Sequence, residues 1–250
     1  MIFLKNTPEY CYPDGRDIIT TRLIDNLETK EGYWEKSEKY ILGKVKRHIK
    51  ENLTEEGAEM LDAGCGFGRL IPILQPFFSK VIALEPDKKR LSEACSLVKK
   101  MNMNNVEFIN GFIEEYNFDK QFDAILCSHV VQHISLSSTE RVFNRFGELL
   151  KLNGLLIIMT CLSKGKEDKY AKSYILNEKH IEERISKESF EELVMNYSEG
   201  LPVHFFSRSG LEKFISENGF ELVEIRRFHV LKRGSSGTDV LLIARKNSCK

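Results

Sequence analysis

Long apolar runs are missing from this 250-residue sequence. The longest, around Leu155–Thr160, suits a strand and falls far short of the ~20 residues a membrane span needs. The apolar stretch in Met1 to Lys5 is too short for a secretory leader, so a cytoplasmic chain with no membrane association is expected. Charge of one sign is missing too: 37 Lys and Arg face 37 Asp and Glu. A dedicated nucleic-acid binder is usually strongly basic, so a nucleic-acid partner is not expected. No two of the six cysteines (Cys11, Cys65, Cys95, Cys127, Cys161 and Cys249) form a CxxC pair. A zinc or redox site is therefore not expected, and the thiols read as small apolar side chains kept reduced. With 6 Pro and 16 Gly, collagen-like and low-complexity classes are excluded. No repeat appears at solenoid periods.

What is present is an ordinary core-forming composition, 42% hydrophobic and 30% charged. The length suits one domain with an insertion. Residues 1–55 read as an amphipathic helical lid. Asp17 to Leu27 places Ile18, Ile19, Leu23, Ile24 and Leu27 on one face, and Trp34 to Ile49 does so with Tyr40, Ile41, Val45 and Ile49. From Ala58 the pattern changes. Strands are predicted at Ala58–Ala63, Val81–Leu84, Val106–Ile109, Phe122–Cys127 and Leu155–Thr160. Helices are predicted between them at Leu70–Phe78, Asp87–Lys100 and Thr139–Leu150, with Pro72 confined to a first turn. Such alternation means βαβ units and a doubly wound parallel sheet, with ligands at the edge where the strands end.

Leu162 to Phe206 breaks the rhythm with charges of both signs and scattered aromatics, and reads as a helical insertion after the fifth strand, a cap over residues 162–206. The core then comprises 56–161 and 207–250. Ser209 and Glu212 fit a capping box for a helix that Gly219 ends. Phe220–Val230 and Asp239–Arg245 should pair antiparallel across Gly234-Ser235-Ser236-Gly237.

The chemistry-bearing motif is Leu61-Asp62-Ala63-Gly64-Cys65-Gly66-Phe67-Gly68-Arg69, between a strand and a helix. Glycines at alternate positions allow positive φ and close approach of a ligand to the backbone. The helix start adds free N–H groups. The spacing is neither the dinucleotide fingerprint nor a P-loop. Glu85 ends the second predicted strand, 23 residues after Asp62. A carboxylate there accepts hydrogen bonds from both ribose hydroxyls of a nucleoside.

Together, Asp62–Gly68, Glu85-Pro86-Asp87, Phe122-Asp123-Ala124-Ile125 and Leu149-Leu150-Lys151-Leu152-Asn153-Gly154 resemble the ordered motifs of class I S-adenosylmethionine-dependent methyltransferases of the small-molecule type. The resemblance implies a Rossmann-like seven-stranded α/β sheet whose last strand runs antiparallel. It also implies S-adenosylmethionine as cofactor and methyl transfer as reaction. On that basis Gly64, Cys65 and Gly66 pass under the methionine part, Asp62 holds its amino group, and Arg69 matches a position that in some members pairs with its carboxylate. Glu85 and Pro86 meet the ribose. Gly111, Phe112 and Ile113 flank the adenine; many members carry Asp where Phe112 stands, so Phe112 either packs on the ring or belongs to the core. Ser128 and His129 border the sulfonium. His133 resembles a histidine that orders this loop or serves as a catalytic base. No metal site is expected: His129 and His133 share a spacing of four, but no third ligand is nearby.

Methyl transfer from a sulfonium needs alignment and exclusion of water, with no protein nucleophile. The acceptor is expected to be a small molecule, because the cap is mixed in charge. Tyr33, Trp34, Tyr170, Tyr174 and Phe205 either line its pocket or anchor the cap. Arg226, Arg227, Lys232 and Arg233 form a local basic cluster. Two other readings are a protein or peptide (N-terminal amine) methyltransferase and a non-catalytic cofactor-binding scaffold subunit. The sequence specifies neither the acceptor nor the oligomeric state.

Overall fold

A computed structural model describes residues 33–53, 56–176, 179–195, 200–228 and 236–247. The helix predicted at Asp17–Leu27 and most of the turn before Gly237 lie outside the described residues. Helix α1 (Tyr33–Asn52) leads into strand β1 (Glu59–Ala63). Next come α2 (Ile71–Leu74), a 3-10 turn at Gln75–Phe77, β2 (Lys80–Glu85), α3 (Lys88–Lys100) and β3 (Val106–Asn110). Then follow β4 (Phe122–Ser128), a 3-10 turn at Val131–His133, α4 (Leu136–Leu149) and β5 (Leu150–Ser163). The insertion holds β6 (Lys169–Leu176), β7 (Lys179–Ile185), α5 (Lys187–Met195) and β8 (Leu201–Phe205). The chain closes with α6 (Arg208–Glu217), β9 (Phe220–Phe228) and β10 (Gly237–Lys246).

Seven strands form one sheet in the order β3-β2-β1-β4-β5-β10-β9. Strand β10 is antiparallel to both its neighbours, and the central strands run parallel. This is the sheet expected from the sequence. Alternate residues divide between its two faces. Leu61 packs with Phe143, Phe146, Leu211 and Ile215 of α4 and α6, whereas its neighbour Met60 packs with Ile41, Val45 and Ile49 of α1.

That second contact corrects one expectation. The described part of the N-terminal region is not a lid: α1 is a covering layer of the sheet, with Ile41 and Val45 fully buried. Its turns are tied to the sheet's far edge by Glu224 of β9, which accepts from His48 Nε2 at 2.8 Å and pairs with Lys44 at 3.0 Å. A shorter helix than predicted follows the glycine turn. Pro72 sits in the first turn of α2 as required, but Pro76 has no N–H, and the α-helix stops at Leu74 before the 3-10 turn.

The insertion is also corrected. It is a three-stranded antiparallel sheet, β7-β6-β8, with one helix, rather than a helical cap. Lys172 and Glu183 form a cross-strand ion pair at 3.5 Å, so charged side chains occupy outward strand positions and hide the period-two pattern. Backbone bonds from Ser163 N to Phe206 O (2.8 Å) and from Phe206 N to Cys161 O (3.0 Å) stitch this sheet to the end of β5. The α6 cap is Ser207, whose Oγ accepts from Gly210 N; Ser209 lies inside the first turn and Glu212 pairs with Arg208 instead. Gly219, at φ +76°, follows the helix as predicted. Among the described residues no helix is long and apolar enough to cross a membrane.

Replacing Ile41 by Ala should lower unfolding free energy by about 2–5 kcal/mol in urea titrations, because a buried side chain is removed and a cavity remains. Tyr40→Ala, at a position 56% exposed, should cost about 1 kcal/mol or less. Equal effects would contradict the packing of α1 as a core layer.

Candidate functional site

The strand order reverses between β1 and β4, and the crevice at their carboxyl ends is where ligands bind in such sheets. The glycine turn enters this crevice from β1. Gly64 N and Cys65 N both donate to Leu84 O, at 2.8 and 3.0 Å, which ties the turn to β2. Gly64 has φ +85°, and a Cβ there would collide with Val130 Cγ2 of the loop after β4. Backbone conformation and space both demand glycine at that point. Gly66, at φ +55°, donates its N–H to Glu85 Oε2 at 2.9 Å. Much of the turn's donor capacity thus faces β2, and the helix beyond it has a single turn. The turn leaves its backbone open to close approach, while the helix that follows it is only four residues long.

Two carboxylates define the electrostatics. Glu85 is 4% exposed; its Oε1 accepts from Asp87 N at 3.1 Å. Burial raises its pKa, while the Arg90 guanidinium and the two backbone N–H groups work in the opposite direction. Arg90 also lies over the Phe67 ring at 4.7 Å. Asp62 is 2% exposed, and its Oδ2 has no hydrogen-bond partner among the described residues. Burial first, then the charge of Glu85, pushes its pKa up to about 7, against the opposing charge of Arg69. Arg69 is itself exposed, in the turn before α2, and acts on Asp62 through its field.

The neighbouring strand end is held in register by Asn110, whose amide donates to the carbonyls of Glu85 (2.9 Å) and Pro86 (2.8 Å). Gly111 N donates to Glu85 O at 3.3 Å, Phe112 is 36% exposed, and Ile113 is buried. Phe112 therefore stands at the rim rather than in the core. On the other side, β4 ends at Ser128, half-buried beside Met159. His129 Nδ1 is 3.0 Å from Gln132 Nε2, and His133 Nδ1 is 2.7 Å from Pro202 O. Two contributors were missed in the sequence. Gln132 carried no signal apart from its neighbour His133, and Arg90 carried none, since its partners are distant in the chain.

Of the expected acceptor-pocket set, Tyr170, Tyr174 and Phe205 fall within the inserted sheet. Phe205 is fully buried with Cys161, Ala171 and Val203, where it seals the insertion against the core. Tyr170 stacks on His204 at 4.8 Å inside the inserted sheet, and Tyr174 reaches Glu183 Oε2 at 3.4 Å. Tyr170 and Tyr174 are both half-buried, on the same face of β6. Tyr33 and Trp34 begin α1, and their side chains lie outside the described residues. Arg226 of the basic cluster is engaged by Glu224 at 3.2 Å; Lys232 and Arg233 lie outside the described residues. No group of three metal-ligating side chains occurs among the described residues.

A family model described as "Methyltransferase domain" matches residues 33–225, more than half of the chain. The chain belongs to the methyltransferase-domain family. The class I resemblance is thereby borne out in family and fold: the chain carries a methyltransferase domain on the sheet of this class. It is similar to the ubiquinone biosynthesis O-methyltransferase of Rickettsia akari (strain Hartford), 27% identical over 121 residues, 48% of this chain and 46% of that protein. The chain thus matches about half the length of that curated relative. Its fold is similar to magnesium protoporphyrin IX methyltransferase from Synechocystis PCC 6803, solved with bound S-adenosylhomocysteine (TM-score 0.62, 15% identity, 94% of this chain and 99% of that one). It is also similar to 1,6-didemethyltoxoflavin-N1-methyltransferase from Burkholderia thailandensis (TM-score 0.59, 16% identity, 91% and 87%).

The methyltransferase domain keeps a buried carboxylate at a cost to folding. A carboxyl group whose pKa rises from its ordinary value to about 7 binds its proton more tightly in the folded state. The stability this provides is fully present below the unfolded pKa of about 4 and is lost as pH rises through about 7. Asp62→Asn should therefore raise the melting temperature at pH 8, with a gain that shrinks toward pH 4. A gain independent of pH, or a loss at pH 8, would contradict the burial of an ionisable Asp62.

Proposed function

We propose that this methyltransferase transfers a methyl group from S-adenosylmethionine to a small-molecule acceptor, with the cofactor held between the ends of β1, β2 and β4. The observation that carries the reading is Asp62 Oδ2, buried and lacking a hydrogen-bond partner among the described residues beside a turn that excludes side chains. A buried polar atom without a partner is rare in a folded chain, and a cationic ligand group satisfies this one. The residues fit the cofactor: it brings an ammonium for Asp62 and a diol for Glu85, whose oxygens each retain acceptor capacity beyond the two backbone bonds.

When bound, S-adenosylmethionine supplies an activated methyl group together with its leaving group. The protein's part is to bind, orient and exclude water. Gly64, Cys65 and Gly66 let the methionine part lie against the backbone, and Arg69 faces its carboxylate. Glu85 and Pro86 hold the ribose, and Gly111, Phe112 and Ile113 border the adenine. Ser128 and His129 border the reacting atoms. His133 accepts the acceptor's proton. Pro202 O can only accept, so His133 Nδ1 carries the hydrogen, and the neutral ring has its lone pair on Nε2.

A small acceptor is supported by the zero formal net charge of the chain and by the three named relatives, all named for making or modifying small molecules. A cytoplasmic setting is supported by Cys65, Cys95, Cys127 and Cys161, all free thiols.

Calorimetry with S-adenosylhomocysteine tests the site. Glu85→Ala should weaken binding about tenfold or more, and unchanged affinity would remove Glu85 from the ribose contact. Affinity for the wild type should fall as pH drops below about 7, because Asp62 must lose its proton to pair with the ammonium. Methyl transfer measured across alcohols, phenols, amines, thiols and carboxylic acids should yield at least one small acceptor; turnover on peptides alone would reject the small-molecule assignment.

A further inference from the structure

Each glycine of the turn after β1 makes room for a neighbour within the chain. At Gly66 that neighbour is Arg90, in the first turn of α3. A Cβ on Gly66 would stand 2.9 Å from Arg90 Nη2 and 3.4 Å from its Cζ. Ala94, one helical turn further along α3, meets Gly68 in the same way: a Cβ there would lie 2.9 Å from the Ala94 Cβ. The guanidinium of Arg90 therefore rests against the backbone of Gly66, and its Cζ lies over the Phe67 ring at 4.7 Å.

The position is an unusual one for a cation. Asp87 caps α3 by accepting from Lys89 N at 2.9 Å and Arg90 N at 3.0 Å. Arg90 thus stands in the first turn, where the helix dipole disfavours positive charge. Glu85 offsets this. Its Oε2 accepts from Gly66 N at 2.9 Å and its Oε1 from Asp87 N at 3.1 Å, so the residue on which Arg90 rests is bonded to the carboxylate. Asp62 on β1, Cys65 in the turn and Asp87 at the cap also face Glu85, and all three carry or can acquire negative charge. Arg90 supplies positive charge. Burial, the largest influence, raises the Glu85 pKa, and the Arg90 charge is the leading influence in the other direction. A protonated Glu85 would turn one acceptor into an O–H donor, set against a backbone N–H or a ribose hydroxyl.

We propose that Arg90 is a positioning residue for the ribose of the cofactor: in contact with Gly66 and the Phe67 ring, its guanidinium seats the glycine turn on Glu85 and keeps both Glu85 oxygens as acceptors for the diol before any ligand enters. The proposal rests on the reading that Glu85 meets the ribose. It gives the second glycine of the turn a further reason, since Gly66 is then required by the chain's own arginine. It also brings α3 into the site through a residue that acts by way of Glu85.

Carbon-13 NMR of the glutamate carboxyls in the full chain, with no ligand present and with Glu85→Gln to assign the signal, follows Glu85 directly. In Arg90→Gln the Glu85 midpoint should rise by about one pH unit or more, and in Arg90→Lys, which keeps the charge, it should stay closer to the wild type. A Glu85 midpoint that Arg90→Gln leaves in place overturns the proposal. Calorimetry with adenosine across the same pH range is the second measurement; adenosine lacks the ammonium, so pairing with Asp62 does not enter. Arg90→Gln should lose adenosine at a higher pH than the wild type does, by the shift seen for Glu85. A loss of equal size at every pH marks simple damage to the turn and also overturns the proposal. If Arg90→Gln does not fold, Phe67→Leu takes the ring from the guanidinium and lets it swing away. The Glu85 midpoint should then rise and adenosine affinity fall; both unchanged overturns the proposal. Wild-type protein that binds neither adenosine nor S-adenosylhomocysteine removes the cofactor reading and the ribose role with it, while the Glu85 midpoint separately decides whether Arg90 holds the carboxylate charged.

Discussion

Asp62 and Glu85 stand at the carboxyl ends of two neighbouring parallel strands, and both side chains are buried. Two carboxylates so close in low dielectric repel each other and resist ionisation. The surrounding structure manages this in two ways. Glu85 is satisfied internally by the N–H groups of Gly66 and Asp87, with the guanidinium of Arg90 nearby. Asp62 Oδ2 has no hydrogen-bond partner among the described residues. The two carboxylates differ accordingly: one shapes the glycine turn, and the other has an oxygen without a partner among the described residues.

The fold supplies rigid support for this arrangement. Helices α1 to α3 cover one face of the sheet and α4 and α6 the other, so the strand ends have little freedom to relax the strain. The glycine turn is fastened to β2 at Leu84, and the loop after β4 is fastened to β5 at Met159 and Thr160. The inserted sheet enters at the same edge through Pro202. Its own aromatic residues, Tyr170, Phe190 and His204, pack on one another within it.

What could be read from the sequence depended on how local the cause was. The glycine spacing, Glu85 and the alternation of strands and helices are set by residues close in sequence, and each is where it was expected. Pro72 likewise signalled the start of α2. The insertion was misread because Lys172 and Glu183 occupy outward strand positions, and mixed charge resembles a helix surface when the partner strand is unknown. The covering role of α1 was missed for a related reason: amphipathic spacing shows that a helix has a buried face but not what it is buried against. Gln132 was invisible because Thr160, which orients it, lies 28 residues away. Phe205 is brought to an interior position by strand pairing that no local pattern announces.

Asp62 is a buried carboxyl group whose pKa is raised to about 7, by burial first and then by the charge of Glu85. Its titration is the direct measure. Carbon-13 NMR of the aspartate carboxyls, with Asp62→Asn to assign the signal, should find Asp62 titrating at about pH 7 in the free chain. On addition of S-adenosylhomocysteine the midpoint should move well down, into or below the ordinary carboxylate range, as the ammonium pairs with it. A midpoint near 4 in the free chain, or one that the ligand leaves unmoved, would contradict that claim.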